Sequence, residues 1–207
     1  MLIQINDQSN LIKIKNQCFM EIISKVKNIL LNPKTEWEVI SEKNDTHLKV
    51  LTAYLIPLAL IPAIAGFIGY GIFGFNLMGI HTSFANFGIR HALTSFIATL
   101  GGAYLSALII AFLADKFESV KNFDKAFSLV AYSYTPMCVA GILLLIPSLS
   151  LVATLGGLYG LYLLYLGLSP VMKTPEEKKN TYFIVSLLCV VVVSAIVSVI
   201  LSALIVS

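Results

Sequence analysis

Residues 50–74 read VLTAYLIPLALIPAIAGFIGYGIFG, a run of consecutive positions without an Asp, Glu, Lys, Arg or His. As a helix rising about 1.5 Å per residue it reaches about 37 Å, more than the roughly 30 Å hydrocarbon core of a bilayer. A helix that is apolar all round needs either the interior of a large protein or lipid. A chain of 207 residues offers no interior of that size, so the stretch predicts a membrane span.

Working outward, residues 92–114, 126–146, 148–168 and 181–206 are equally free of ionisable side chains. The whole chain is 57% hydrophobic and 12% charged, where soluble domains carry about 25% charged residues. The expected fold class is therefore all-α: a polytopic membrane protein, a bundle of five transmembrane helices over residues 50–207, preceded by a polar segment over residues 1–49. The +3 net charge is too small to imply nucleic acid.

The connections orient the bundle. Lys and Arg number seven before the first stretch, one (Arg90) between the first and second, and three (Lys116, Lys121, Lys125) between the second and third. Three more (Lys173, Lys178, Lys179) lie between the fourth and fifth, and the tail has none. Alternate segments therefore carry 13 basic residues on one side and 1 on the other. The positive-inside rule assigns the rich side to the cytoplasm. The N-terminus is then cytoplasmic, the C-terminus external, and the protein integral to the membrane (the cytoplasmic membrane if bacterial).

Residues 1–49 are too polar for a secretory signal, so the first span acts as its own targeting signal. Phe19, Ile22, Ile23, Val26, Ile29 and Leu30 recur at helical spacing, opposite Glu21, Ser24, Lys25, Lys27 and Asn28. This predicts an amphipathic helix lying on the cytoplasmic face of the membrane, docked on the protein itself, or docked on a partner. Asn32-Pro33 ends it. Thr35 and Glu38 then form a capping box for a second short helix, and Trp37 is expected at headgroup depth. Thr174, Pro175 and Glu177 predict that the fifth helix starts near Pro175.

Few residues suggest chemistry. Cys18, Cys138 and Cys189 are scattered reduced thiols without metal-like spacing. His81 and His91 lack a partnering ligand at metal spacing, and His47 is expected beside headgroups. Asp115 and Asp124 fall at span edges as terminators. There is no catalytic, cofactor or metal motif, so the expectation is a non-enzyme without cofactors. Ion-coupled transport normally retains ionisable groups inside the membrane, and the five stretches hold none.

Small residues recur instead. Thr94, Ala98, Gly102 and Ser106 step by four; Gly156 and Gly160 form a GxxxG; Ser186, Ser194, Ser198 and Ser202 share a face. Such stripes let helices approach closely, either within the chain or along a homodimer seam. Pro136, following Tyr132-Ser-Tyr134-Thr, predicts a kink in the third span, with Ser133 or Thr135 satisfying the freed carbonyl. Those tyrosines, with Tyr159, Tyr162 and Tyr165 on the fourth span, suggest either interhelical hydrogen bonds or a tyrosine-lined pocket between spans three and four.

Three patterns together resemble the Yip family, the Rab-interacting multi-span membrane proteins of the secretory pathway, and in particular its bacterial branch. They are Asn32-Pro33 followed by Trp37, the Tyr132-Ser-Tyr-Thr-Pro136 sequence, and Leu161-Tyr-Leu-Leu-Tyr-Leu-Gly167 running into Pro170 and Lys173-Thr-Pro175. The resemblance implies a cytoplasmic N-terminus, five spans and a short external tail. For eukaryotic members it implies prenylated Rab GTPases as partners and roles in vesicle budding. The expected function is a non-enzymatic membrane scaffold or adaptor organising proteins or lipids, with Trp37, Tyr132, Tyr134, Pro136, Gly156, Gly160, Tyr162 and Tyr165 as interaction or packing residues. Its expected partners are the lipid bilayer, a membrane or cytoplasmic protein, or a second copy. The alternative is a passive channel, carrier or lipid-handling protein.

Overall fold

The computed structural model describes residues 20–73, 75–77, 80–82 and 85–206, with side chains over residues 20–73 and 87–193. Helix α1 covers residues 20–31 and α2 is Pro33–Glu42. Then come α3, His47–Phe73, a short antiparallel ribbon of β1 (Phe75–Leu77) and β2 (Ile80–Thr82), and α4, Ala85–Leu113. Helices α5 (Phe123–Ser133) and α6 (Thr135–Ala140) follow, with Tyr134 between them, then α7 (Ser150–Met172) and α8 (Glu176–Val206).

Four stretches are long and apolar enough to span a membrane: His47–Phe73, Phe87–Phe117, Phe123–Leu145 and Pro147–Met172. The polytopic helical fold is thus present, but with four such spans among the described residues against the five expected. Most of the far half of α8, with Ser194, Ser198 and Ser202, lies outside the described side chains. So do Cys18, Phe19 and the side chain of His81.

The departure from regular helix early in α3 has a local cause. Two prolines sit in α3, Pro57 and Pro62, and each lacks an N–H and crowds the carbonyl four residues back. The helix widens to i→i+5 bonding over Leu51–Leu55, where the Ile56 N–H reaches the Leu51 carbonyl; such π-turns relieve interrupted ladders. The Asp124 carboxylate accepts the His47 backbone N–H at 2.7 Å, capping the start of α3. Asp124 therefore serves α3 as well as ending its own connection. His47 is packed among Phe123, Phe127 and Tyr104, with Nδ1 2.6 Å from the same carboxylate, instead of merely facing headgroups.

Two capping expectations change. Asn32, not Thr35, precedes the first turn of α2, and Pro33 occupies its first position; proline is pre-set for that place. Helix α8 starts at Glu176, close to the expected point, but the Thr174 hydroxyl lies 2.9 Å from Ser119 Oγ. It ties two connections together in place of capping the helix.

The N-terminal helices do not simply lie on the membrane face. Ile29, Trp37 and Ile40 belong to the same buried cluster as Tyr54, Phe127, Leu129, Tyr132, Leu163 and Leu168 of the spans. The α1–α2 hairpin climbs along α7 from Gly167, which faces Trp37, to Tyr159, whose hydroxyl donates to the Leu30 carbonyl at 2.9 Å. Eight helical residues separate those points, about 12 Å. The amphipathic face of α1 is spent on this docking: Ile22, Val26 and Leu30 pack against the core.

Candidate functional site

The polar break in the third span organises the centre of the molecule. Pro136 has no N–H to give the Tyr132 carbonyl, so regular helix stops at Ser133 and resumes at Thr135. The Thr135 hydroxyl donates to that carbonyl at 2.6 Å. Tyr54 Oη lies 2.7 Å from Thr135 Oγ1. Threonine has one hydroxyl proton, already given to Tyr132, so Tyr54 is the donor in this pair. The expected repair by Thr135 is present; Ser133 Oγ takes no part and is buried without a hydrogen-bond partner among the described residues.

This chain of bonds makes a prediction. Tyr54→Phe removes one buried hydrogen bond whose acceptor is already engaged, and should cost about 1 kcal/mol. Thr135→Val strands both the Tyr54 hydroxyl and the Tyr132 carbonyl and should cost about 2–3 kcal/mol. Thermal unfolding of the two variants in detergent checks the order; a more damaging Tyr54→Phe would refute the donor assignment.

Around the break stands an aromatic cluster. Trp37 meets Tyr132 edge-on at 6.4 Å, and Tyr54 lies 4.4 Å from Tyr132, ring centre to ring centre. The Trp37 ring also covers Gly167, where a Cβ would stand 2.8 Å from it. Trp37 is fully buried, which corrects its expected place among headgroups: α2 is docked, and its indole fills a notch between α5 and α7. Its Nε1 has no hydrogen-bond partner among the described residues. At the outer edge of the cluster Lys25 Nζ lies 5.9 Å from the Tyr132 ring centre and 3.1 Å from Glu21. The Lys25 hydrogen bond holds the Glu21 carboxyl below its usual range, and Lys49, 2.6 Å away, does the same for Asp45.

The tyrosine-lined pocket between spans three and four is not assembled. Tyr132 and Tyr134, two residues apart on a helix, cannot share a face. Tyr132 goes to α2 and α3, while Tyr134 turns towards Gly102 of α4. On α7, Tyr159 caps α1, Tyr162 is half exposed, and Tyr165 donates to Asn180 at 2.7 Å. What joins spans three and four is glycine. A Cβ at Gly156 would stand 2.6 Å from the Pro136 carbonyl oxygen, and one at Gly160 2.6 Å from that of Ser133. The GxxxG is thus occupied within the chain, by the helix break it packs against.

Behind the aromatic cluster the helices part. A cavity of about 180 Å³ is lined by apolar side chains together with Ser106, Ser133, Tyr134 and Ser186. A wider opening of about 630 Å³ adjoins it, sharing Tyr134, Met137 and Gly157 as lining. No lining residue of either carries a charge.

The charged end of the bundle is knit together. The Val120 N–H donates to the Met172 carbonyl at 2.8 Å, joining the α4–α5 connection to the end of α7. Glu118 pairs with Lys178 at 2.5 Å, Asp115 with Lys121 at 2.6 Å, and Lys125 reaches the Ser41 carbonyl at 3.4 Å. Among the described residues no group of three or more His, Cys, Asp or Glu is placed to hold a metal.

A helical bundle with several membrane-length spans, whose cavities between the spans are lined without charge, defines an integral membrane protein of the polytopic class. A family model described as the Yip1 domain matches residues 27–203, and the chain belongs to the Yip1 family. The match takes in Trp37, Tyr132 and Gly167, so the three patterns that carried the resemblance meet at one place in the fold. The chain is similar to the inner membrane protein YohC of Escherichia coli strain K12, 27% identical over 161 residues, 75% of this chain and 83% of YohC. The protein of the same name from strain CFT073 of serotype O6:H1 matches equally. No solved structure matches the chain.

Sequence reasoning missed Gly167, Tyr54 and Asp124. Gly167 was inside a quoted pattern, and its lone small side chain in Leu-Leu-Tyr-Leu-Gly was the available signal. Nothing in the sequence linked Tyr54 to Thr135 or Asp124 to His47, because those contacts bridge 81 and 77 residues.

Proposed function

We propose that the protein is a non-enzymatic scaffold or adaptor of the inner membrane, with five spans, a cytoplasmic N-terminus and an external C-terminus. Its working surface is the charged end of the bundle. The observation that carries this reading is the bonding of separate segments into one plate: residues 114–122 hold residues 172–178 through the Val120–Met172, Ser119–Thr174 and Glu118–Lys178 contacts, and the start of α5 is tied to the end of α2 through Lys125 and Ser41. A fixed, charged surface is what recognition of a cytoplasmic protein requires, whereas independently moving loops would lose more entropy on binding. The apolar face of α1 is unavailable for that purpose, being docked.

The test places a photo-crosslinking residue at Glu42 or Lys116, both exposed, in inverted and in right-side-out vesicles. A discrete protein adduct on adding soluble cytoplasmic extract to inverted vesicles alone, lost on charge reversal at Lys173, supports the scaffold and its orientation. No adduct in either preparation, or one only in right-side-out vesicles, would refute it.

A second reading, lipid handling within the membrane, is favoured by the uncharged cavity between α4, α5, α7 and α8. Of the tyrosines of spans three and four, Tyr134 alone lines that cavity.

A further inference from the structure

We propose that the cavity between α4, α5, α7 and α8 is a binding site for one uncharged lipid with a hydroxyl head, of the diacylglycerol or long-chain alcohol class. The inference rests on the lipid-handling reading and names its ligand.

Ser133 and Ser186 both line the cavity, are 3% and 2% exposed, and have hydroxyls with no hydrogen-bond partner among the described residues. A buried hydroxyl left unpaired costs about 1–3 kcal/mol, and native interiors leave few such groups. Both serines line one chamber, together with Ser106, and supply polar points in an otherwise largely apolar space. A lipid hydroxyl can donate to one serine and accept from the other, and an ester carbonyl can accept from either. Ile110, Val130, Met137, Leu164 and Val190 then surround its chain. No lysine, arginine or histidine lines the chamber, so a phosphate group would be buried without a counter-charge, at far greater cost than a neutral head. The wider opening past Tyr134, Met137 and Gly157 gives a second, roomier stretch for the tail.

Two kinds of variant separate ligand from fold. Ser133→Ala with Ser186→Ala removes no bond within the protein, so its thermal stability in lipid-free detergent should equal or exceed that of the parent. A Cβ at Gly157 meets no atom within 4 Å, so Gly157→Phe can place its ring in the chamber without displacing backbone. The intact chain is reconstituted in phosphatidylethanolamine vesicles carrying a photoreactive diacylglycerol, or a photoreactive phosphatidylglycerol with the same chains. The expected result is diacylglycerol labelling on α7 or α8 peptides lining the chamber, at least tenfold above phosphatidylglycerol, and reduced at least tenfold in both variants. Equal labelling of parent and variants by diacylglycerol overturns the site while leaving lipid handling elsewhere on the protein. Labelling of the parent by neither probe overturns both. Loss of stability in the double serine variant would show that the hydroxyls serve the fold and likewise overturn the proposal.

Discussion

Replacing Gly160 with leucine is expected to abolish the folded bundle, while alanine at Gly157, three positions away, leaves it intact. Both glycines lie in α7 and look alike in sequence. At Gly160 any Cβ would lie 2.6 Å from the Ser133 carbonyl oxygen, and at Gly156 a Cβ would meet the Pro136 carbonyl at the same distance. Those obstacles are backbone, fixed at the kink by the Thr135 bond, so neither can swing aside. Relief requires α7 to move away from α5 and α6 along its whole length. Overpacking a core side chain typically costs 1–3 kcal/mol; a clash with immovable backbone belongs at or beyond the top of that range, about 3 kcal/mol or more. Van der Waals contact is the main force holding helices together in lipid, where no hydrophobic drive remains, so separation has little to replace it. Thermal unfolding in mild detergent, with size-exclusion recovery as the second readout, should show Gly160→Leu largely lost and Gly157→Ala within about 0.5 kcal/mol of the parent. Equal behaviour of the two would mean that the third and fourth spans do not meet as described.

The same pair of glycines shows what was legible in the sequence and what was not. Membrane spans announce themselves through length and the absence of charge, which is a local property, and four of the stretches are found as candidate spans. The break before Pro136 and its repair by Thr135 were legible because both follow from chemistry within one turn. The GxxxG was legible as a close-packing motif, but its partner was open between a second copy and the chain itself. That choice depends on which helix faces which, and lipid-facing and helix-facing stripes are both apolar. The tyrosine pocket failed for a related reason: Tyr132 and Tyr134 were grouped by proximity in sequence, while a helix sends neighbours two apart to opposite sides. The paired hydroxyls of Ser133 and Ser186 had no sequence signal as a pair, since 53 positions separate them and only the fold brings them to one chamber.

Trp37→Ala should release the α1–α2 hairpin from the spans. A tryptophan near a membrane face ordinarily sits among headgroups, where truncation changes little. Here the indole is fully buried, edge-on to Tyr132 and flat over the Gly167 notch, with the Leu129 side chain beside it. Truncating a buried tryptophan to alanine costs about 3–5 kcal/mol. The loss falls on a hairpin whose alternative is the membrane–water interface, so burial of the indole retains much of its ordinary hydrophobic drive. Its remaining anchors are Ile29, Ile40 and the Tyr159 bond to the Leu30 carbonyl. A loss of about 3 kcal/mol shifts docking by roughly a hundredfold. Lys27 and Lys34 are exposed on the hairpin, and trypsin cuts backbone only when it can leave the fold. Tryptic cleavage at these lysines in reconstituted protein should therefore accelerate at least tenfold in Trp37→Ala, with the fragment covering residues 50–172 still resistant. Gly167→Leu, which fills the notch from the other side, should reproduce the effect with the indole still present. Cleavage at the parent rate in both variants would return Trp37 to the headgroups and detach the N-terminal helices from the core.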